Sequence, residues 1–214
     1  SHLAIAPLPG VAARNAAITA IDGVMRLKQP LDEALERSMS RTSPALEPRD
    51  RAFARLLTVT VLRRHGELRR AVTAFLEKQP PTDSGRLWPI LLAGAAQLLC
   101  LATPPHAAIS SSVDLARLDQ TTRRFDKLIN AVLRRVSERG PALLEIADAA
   151  VSNIPAWLMT RWRAAYGDAV ARDIAVASLT EPALDLSVKS DAAAWAATLG
   201  GAVLPTGSVR LANG

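Results

Sequence analysis

Cysteine is almost absent from this chain, which has a single residue, Cys100, in 214. No internal disulfide can form, and paired-thiolate metal sites are excluded, while a lone thiol suits a reducing cytoplasm. His2, His65 and His106 are isolated from one another, so no metal-ligand spacing exists. Long apolar runs are missing too. The best candidate, Trp88 to Ala102, is interrupted by Pro89, Gly94 and Gln97 and falls short of the roughly 18 residues that a membrane helix needs. The opening SHLAIAPLPGVAARNAA has no charged region ahead of an apolar block and does not read as a secretion signal. There is no GxGxxG and no GxxxxGK[ST], so Gly200, Gly201 and Gly207 read as turn glycines. The acidic residues are scattered, and no carboxylate pair stands out for acid–base work.

What the chain does have is core-forming and cationic. Hydrophobic residues make up 49%, aromatics only 4%, and abundant Ala, Leu and Arg favour helices. The net charge of +6 is uneven: residues 1–140 carry 21 Lys and Arg against 13 Asp and Glu, and residues 141–214 carry 5 against 7. The first two-thirds is therefore the better polyanion face. A GC-rich genome produces a similar Ala- and Arg-rich composition, so composition by itself leaves nucleic-acid binding at even weight.

The segment RRFDKLINAVLRR, Arg123 to Arg135, is the most telling. Phe125, Leu128, Ile129, Val132 and Leu133 repeat at the spacing of one buried helical stripe. At about 100° per residue, Arg123, Lys127, Asn130 and Arg134 fall within about 60° of one another on the opposite side. Three cations and an amide facing solvent suit phosphates, though a charged outer face is also the ordinary state of an amphipathic helix. Asn130 equally suits a buried amide that satisfies an adjacent helix.

Periodicity and punctuation predict helices over Val11–Leu27, Pro30–Met39, Glu47–Lys78 with a break near Gly66, Trp88–Leu101, Ala107–Leu118 and Thr122–Arg139, with Gly140-Pro141 closing the unit. Beyond Ile154-Pro155 come a helix pair split at Gly167, a strand at Leu184–Val188, a helix at Ala192–Leu199 and short strands at Ala202–Leu204 and Val209–Leu211. The expected fold is mainly α: an all-helical bundle over 1–141, a linker over 142–155 and the start of a small α+β unit over 156–214.

Several motifs in order carry a family resemblance. They are EPRDRAFARLLTVTVLRR (Glu47–Arg64), PPHAAISSSVDLAR (Pro104–Arg117), KLINAVLRR (Lys127–Arg135), and PAWLMTRWRAAYG (Pro155–Gly167) followed by EPALDLSVKSD (Glu181–Asp191). Together they resemble the amino-terminal half of the bacterial RsmB/Sun family, cytosine-5 methyltransferases of small-subunit ribosomal RNA, whose helical domain is NusB-like. The resemblance covers essentially the whole chain and implies an RNA-binding accessory region. S-adenosylmethionine is the cofactor expected for the family's catalytic domain, but that domain's Gly-rich loop and two cysteines are not in this sequence. The chain itself is therefore expected to use no cofactor and to be inactive. The alternative is a NusB-like regulatory module acting through protein partners and RNA in transcription antitermination. Ribosomal RNA is the expected partner, no membrane is, and the expected location is the cytoplasm.

Cys100 lies in the apolar LLCLA, without a general base at helical spacing. It reads as a structural residue and not a nucleophile. His106, just after Pro104-Pro105, reads as a local capping or loop contact. The candidate RNA contacts are Arg14, Arg51, Arg55, Arg123, Lys127 and Arg134. For Arg51 and Arg55, one turn apart and opposite Phe53, a local ion pair and an RNA contact are equal readings.

Overall fold

A computed structural model describes residues 10–42, 44–146 and 148–211. The opening segment 1–9, where the secretion-signal reading and His2 fall, lies outside the described residues. By its internal contacts the chain divides into two units, residues 1–176 and 177–214.

The first unit is helical. Its order is α1 (Val11–Met25), α2 (Leu31–Ser40), α3 (Pro48–Arg63), α4 (His65–Thr73), α5 (Leu87–Leu99), α6 (Pro105–Arg117), α7 (Asp126–Ile146), α8 (Ala149–Asn153) and most of α9 (Ala156–Leu179). Helix α5 is apolar on every side, and such a helix is stable only when enclosed. Accordingly, Leu87 and Pro89 to Gln97 are all buried, and α1, α3, α4, α6 and α7 pack around them. The predicted stripe of α7 meets it, with Ile129, Val132, Leu133 and Val136 at no more than 1% exposure and Phe125 and Leu128 at the edge of the core.

The turn into α7 is held by one carboxylate. Asp119 accepts the backbone N–H groups of Thr121 (2.9 Å) and Thr122 (3.0 Å), and it lies 3.4 Å from Arg86 Nε. Burial works against its charged form, but the two N–H donors and Arg86 outweigh that and hold the carboxyl below its ordinary value. The turn leaves Arg123 to Phe125 as one turn of 3-10 helix, so Arg123 precedes α7 and does not lie within it.

Helix α7 continues through Pro141 to Ile146, whereas Gly140-Pro141 was expected to end it. The ring removes one backbone donor from the ladder, but Gly140 is buried against Leu99 and Val136 and keeps the helix seated on the core. The expected linker 142–155 therefore holds the end of α7 and the short α8. Helix α8 is clasped to α4: Glu67 N donates to Asn153 Oδ1 (3.1 Å), and Asn153 Nδ2 donates back to Glu67 Oε2 (2.7 Å). Arg70 adds a bond to Ser152 Oγ at 3.1 Å. The approach is so close that a Cβ on Gly66 would sit 1.8 Å from the Ser152 carbonyl oxygen. The break between α3 and α4 falls at Arg64, so Gly66 serves this contact more than the break.

Within α9, Gly167 adopts φ 81° and ψ 166°, a backbone conformation open to glycine, and splits the helix where the sequence predicted. Arg172 ties the second half to Asp168 (3.1 Å) and to Asp148, the residue that caps α8. The second unit holds β1 (Leu184–Leu186), α10 (Ala192–Leu199), β2 (Gly201–Val203) and β3 (Val209–Leu211) in an antiparallel sheet of order β1-β3-β2. Val209 is fully buried, and Arg210 pairs across the strands with Asp185 at 2.7 Å. Among the described residues no helix is long and apolar enough to cross a membrane.

Two outcomes are expected. Gly66→Ala should gain about 1 kcal/mol in helix propensity, so any net loss must come from the clash. We expect a loss of about 1–3 kcal/mol in urea unfolding and rapid amide exchange confined to 149–153, whereas unchanged protection there would refute the contact. Asp119 contributes stability that is present above the ordinary aspartate pKa of about 3.9 and is lost as pH falls through its lower folded value. Asp119→Asn should therefore make acid unfolding less steep below about pH 4, without abolishing it, because Asp126, Asp148, Asp168 and Asp185 are also held low.

Candidate nucleic-acid interface

The outer face of α7 is built by the same periodicity that buries its inner one. Lys127, Asn130 and Arg134 stand in a row on it, all exposed, with Arg123 exposed just ahead. Among the described residues, the side chains of Arg123, Lys127 and Arg134 make no ion pair and no hydrogen bond. The Lys127 charge does lie near enough to Asp126 to help lower that carboxyl, after the larger effect of Arg117 at 3.1 Å. Asn130 is exposed and not a buried amide. Ile129, Val132, Leu133 and Val136 take the inner side of the helix, so the amide faces water.

The other three candidate cations are engaged by other groups of the protein. Arg14 is half-buried: its Nε donates to Gln97 Oε1 at 2.7 Å, a second nitrogen donates to the Gly10 carbonyl at 3.0 Å, and the guanidinium lies 5.0 Å from the Phe53 ring centroid. Burial lowers its pKa, and Asp50 opposes that. Arg51 and Arg55 reach across from α3 to the acidic face of α2, at 3.6 Å from Glu36 and 3.4 Å from Asp32. The structure thus gathers Arg123, Lys127 and Arg134 and leaves Arg51 and Arg55 at a separate place.

Sequence reasoning left out other exposed cations of α7. Arg135 and Arg139 are exposed on α7, also without an ion pair among the described residues. They lie about 100° and 140° around the wheel from Arg134, on the flank of α7 where Phe75 and Glu77 line a cavity with them, so they do not extend the row. His106 makes no capping bond: it is exposed and lines a cavity of about 440 Å³ between α6 and α7, together with Asn130 and Arg134. A neighbouring cavity of about 270 Å³ shares His106 and Ser110 and reaches Arg14. The first turn of α6 therefore has Arg134 on one flank and Arg14 on the other, a proximity invisible in the sequence.

Nothing in this region resembles a covalent active site. Cys100 caps α5, half-buried, with Arg64 at 3.8 Å from its sulfur. Burial pushes the thiol up, and Arg64 offsets this only in part. Among the described residues no cluster of three or more His, Cys, Asp or Glu is placed to hold a metal ion. What the surface can do is hold anions by charge and hydrogen bonding.

The description of the NusB family fits residues 11–138 of this chain, a span that contains all six candidate cations. The chain is similar to proteins named ribosomal RNA small subunit methyltransferase B. That of Xanthomonas campestris pv. campestris is 36% identical over 160 residues, covering 74% of this chain and 35% of the relative. That of Xylella fastidiosa (strain Temecula1) is 36% identical over 147 residues, 68% of this chain and 33% of the relative. The Yersinia enterocolitica protein is 30% identical over 149 residues, 66% and 34% respectively. The chain spans about a third of the length of these curated relatives.

Arg14→Ala should cost about 1–3 kcal/mol in thermal or urea unfolding, since it strips a charged donor from the buried Gln97 amide. Arg55→Ala should stay within about 0.5 kcal/mol, as exposed pairs do. Equal losses for both would contradict this division of roles. Cys100 should alkylate with iodoacetamide more slowly than a free thiol at neutral pH, and its rate should keep rising above the ordinary thiol pKa of about 8.5.

Proposed function

Because this chain belongs to the NusB family, we propose that its helical unit docks ribosomal RNA, as the accessory region of a cytoplasmic rRNA cytosine-5 methyltransferase. The observation that carries the reading is the row of exposed, unpaired cations Arg123, Lys127 and Arg134 on α7, set against Arg51 and Arg55, whose charges are engaged by α2. The names of the similar proteins point to the same substrate.

In this reading the cations hold the phosphate backbone. A point charge or guanidinium on a phosphate positions the strand without reading its sequence. Arg14 contributes at the edge of the surface, by the part of its guanidinium not engaged by Gln97. The helical unit, residues 1–176, and the α+β unit, residues 177–214, would then lead into a methyltransferase domain.

S-adenosylmethionine is the methyl donor of that enzyme class. The described residues do not fit it: Gly200 caps α10, Gly201 opens β2 and Gly207 lies in the turn between β2 and β3 of an antiparallel sheet, not in a parallel βα unit with a Gly-rich loop. Methyl transfer is accordingly assigned to no residue here, and calorimetric titration of this chain with S-adenosylmethionine should give no stoichiometric binding.

One observation favours a second reading, a regulatory module acting through protein partners and RNA in transcription antitermination. A partly apolar groove of about 440 Å³ runs between Phe75, Pro80 and Pro81 on one side and Phe125, Leu128 and Val132 on the other. RNA binding tests the first reading. Under the first, the Arg123→Glu/Lys127→Glu/Arg134→Glu variant should lose rRNA-fragment affinity by about 1 kcal/mol or more per contact, and its salt dependence should flatten by about 0.7–0.9 per lost phosphate. Arg51→Ala/Arg55→Ala should leave both unchanged. A triple variant that binds with the parent's affinity and salt slope would overturn the RNA-docking reading.

A further inference from the structure

The cavity between α6 and α7 has a composition unlike the cationic row beside it. Its walls are apolar where Pro105 and Ile109 form them, and His106 and Asn130 supply polar groups. Both are exposed, and among the described residues neither side chain has a hydrogen-bond partner, so their donors and acceptors are available. Arg134 and Glu138 bring opposite charges to the same rim without forming an ion pair within 4 Å among the described residues. The volume, about 440 Å³, falls within the range of about 300–1,000 Å³ usual for small-ligand pockets.

This mixture selects among occupants. A phosphate or a peptide carboxylate placed in the cavity would meet Glu138 as well as Arg134, so much of its attraction is cancelled. A flat, neutral group with hydrogen-bonding edges meets no such conflict. It can lie against Pro105 and Ile109, stack on the His106 imidazole and exchange bonds with Asn130, whose amide both donates and accepts. The position matters as much. Asn130 stands between Lys127 and Arg134 along the same face, so a strand held by those cations carries its bases past the cavity mouth.

Building on RNA docking, we propose that the α6–α7 cavity receives one unpaired nucleobase of the bound RNA, with Asn130 bonding its edge and His106 stacking on it. The cations hold the strand, and the cavity contributes a part of the affinity that depends on bases. Recognition here is of single-stranded RNA, because a base in a duplex cannot turn outward without unpairing.

The test uses the full chain and fluorescein-labelled RNA decamers of uniform A, C, G or U, together with an abasic ribose-phosphate decamer, followed by anisotropy at several salt concentrations. At least one base-bearing decamer should bind about tenfold tighter than the abasic one, the scale expected of one stacked base. His106→Ala and Asn130→Ala, both at exposed positions and checked for folding by circular dichroism, should remove that difference while leaving the salt slope unchanged. Base-bearing and abasic decamers that bind alike, with a normal salt slope, would overturn the base pocket and leave RNA docking intact. Absence of binding to every decamer would overturn both. An oligoglutamate peptide that displaces RNA from the parent but not from Asn130→Ala would assign the cavity to an acidic protein segment instead.

Discussion

Everything in the helical unit depends on enclosing α5. A helix with ten buried residues and no polar face cannot stand at a surface, so five other helices are recruited to cover it. Its one strongly polar buried side chain, Gln97, is satisfied from both ends: the amide nitrogen donates to the Ala93 carbonyl at 3.1 Å, and the oxygen accepts from Arg14. A bond made for core satisfaction thereby fixes a guanidinium of α1 beside the first turn of α6. The position of one candidate cation is a by-product of burying an amide.

The same enclosure orients α7. With Ile129, Val132, Leu133 and Val136 turned onto the core, helical geometry leaves Lys127, Asn130 and Arg134 no choice but solvent. Asp119 adds the lead-in by gathering the N–H groups of Thr121 and Thr122, so that Arg123 arrives at the head of the row. Cations on α3 meet a different fate, because α2 and α3 both pack on α1 and Asp32 and Glu36 come within reach of them. Equivalent arginines become available or engaged according to what packs next to them.

The helix faces and the break at Gly167 were legible because both rest on local rules, the 3.6-residue period and glycine's access to positive φ. The continuation of α7 past Pro141 was not, since a proline's local cost is outweighed here by the seating of Gly140 on Leu99 and Val136. Nor was α8, whose five residues carry too little pattern to announce a helix. Its existence rests on a reciprocal pair of bonds between Glu67 and Asn153, 86 residues apart. Of the candidate site, the row on α7 could be read from the wheel, whereas the engagement of Arg14 and the exposure of His106 beside Asn130 could not.

The chain's sequence by itself determined that it is mainly helical, that α7 has one apolar and one cationic face, and that no paired-cysteine chemistry is present, because composition and short-range periodicity decide these. The family resemblance, too, rests on motifs in the order of the chain. Only the tertiary structure decided which cations keep their charge free and which side chains share a cavity. Those properties depend on residues that the sequence separates by tens of positions, and on packing that brings an α2 carboxylate to an α3 guanidinium and α6 to the flank of α7.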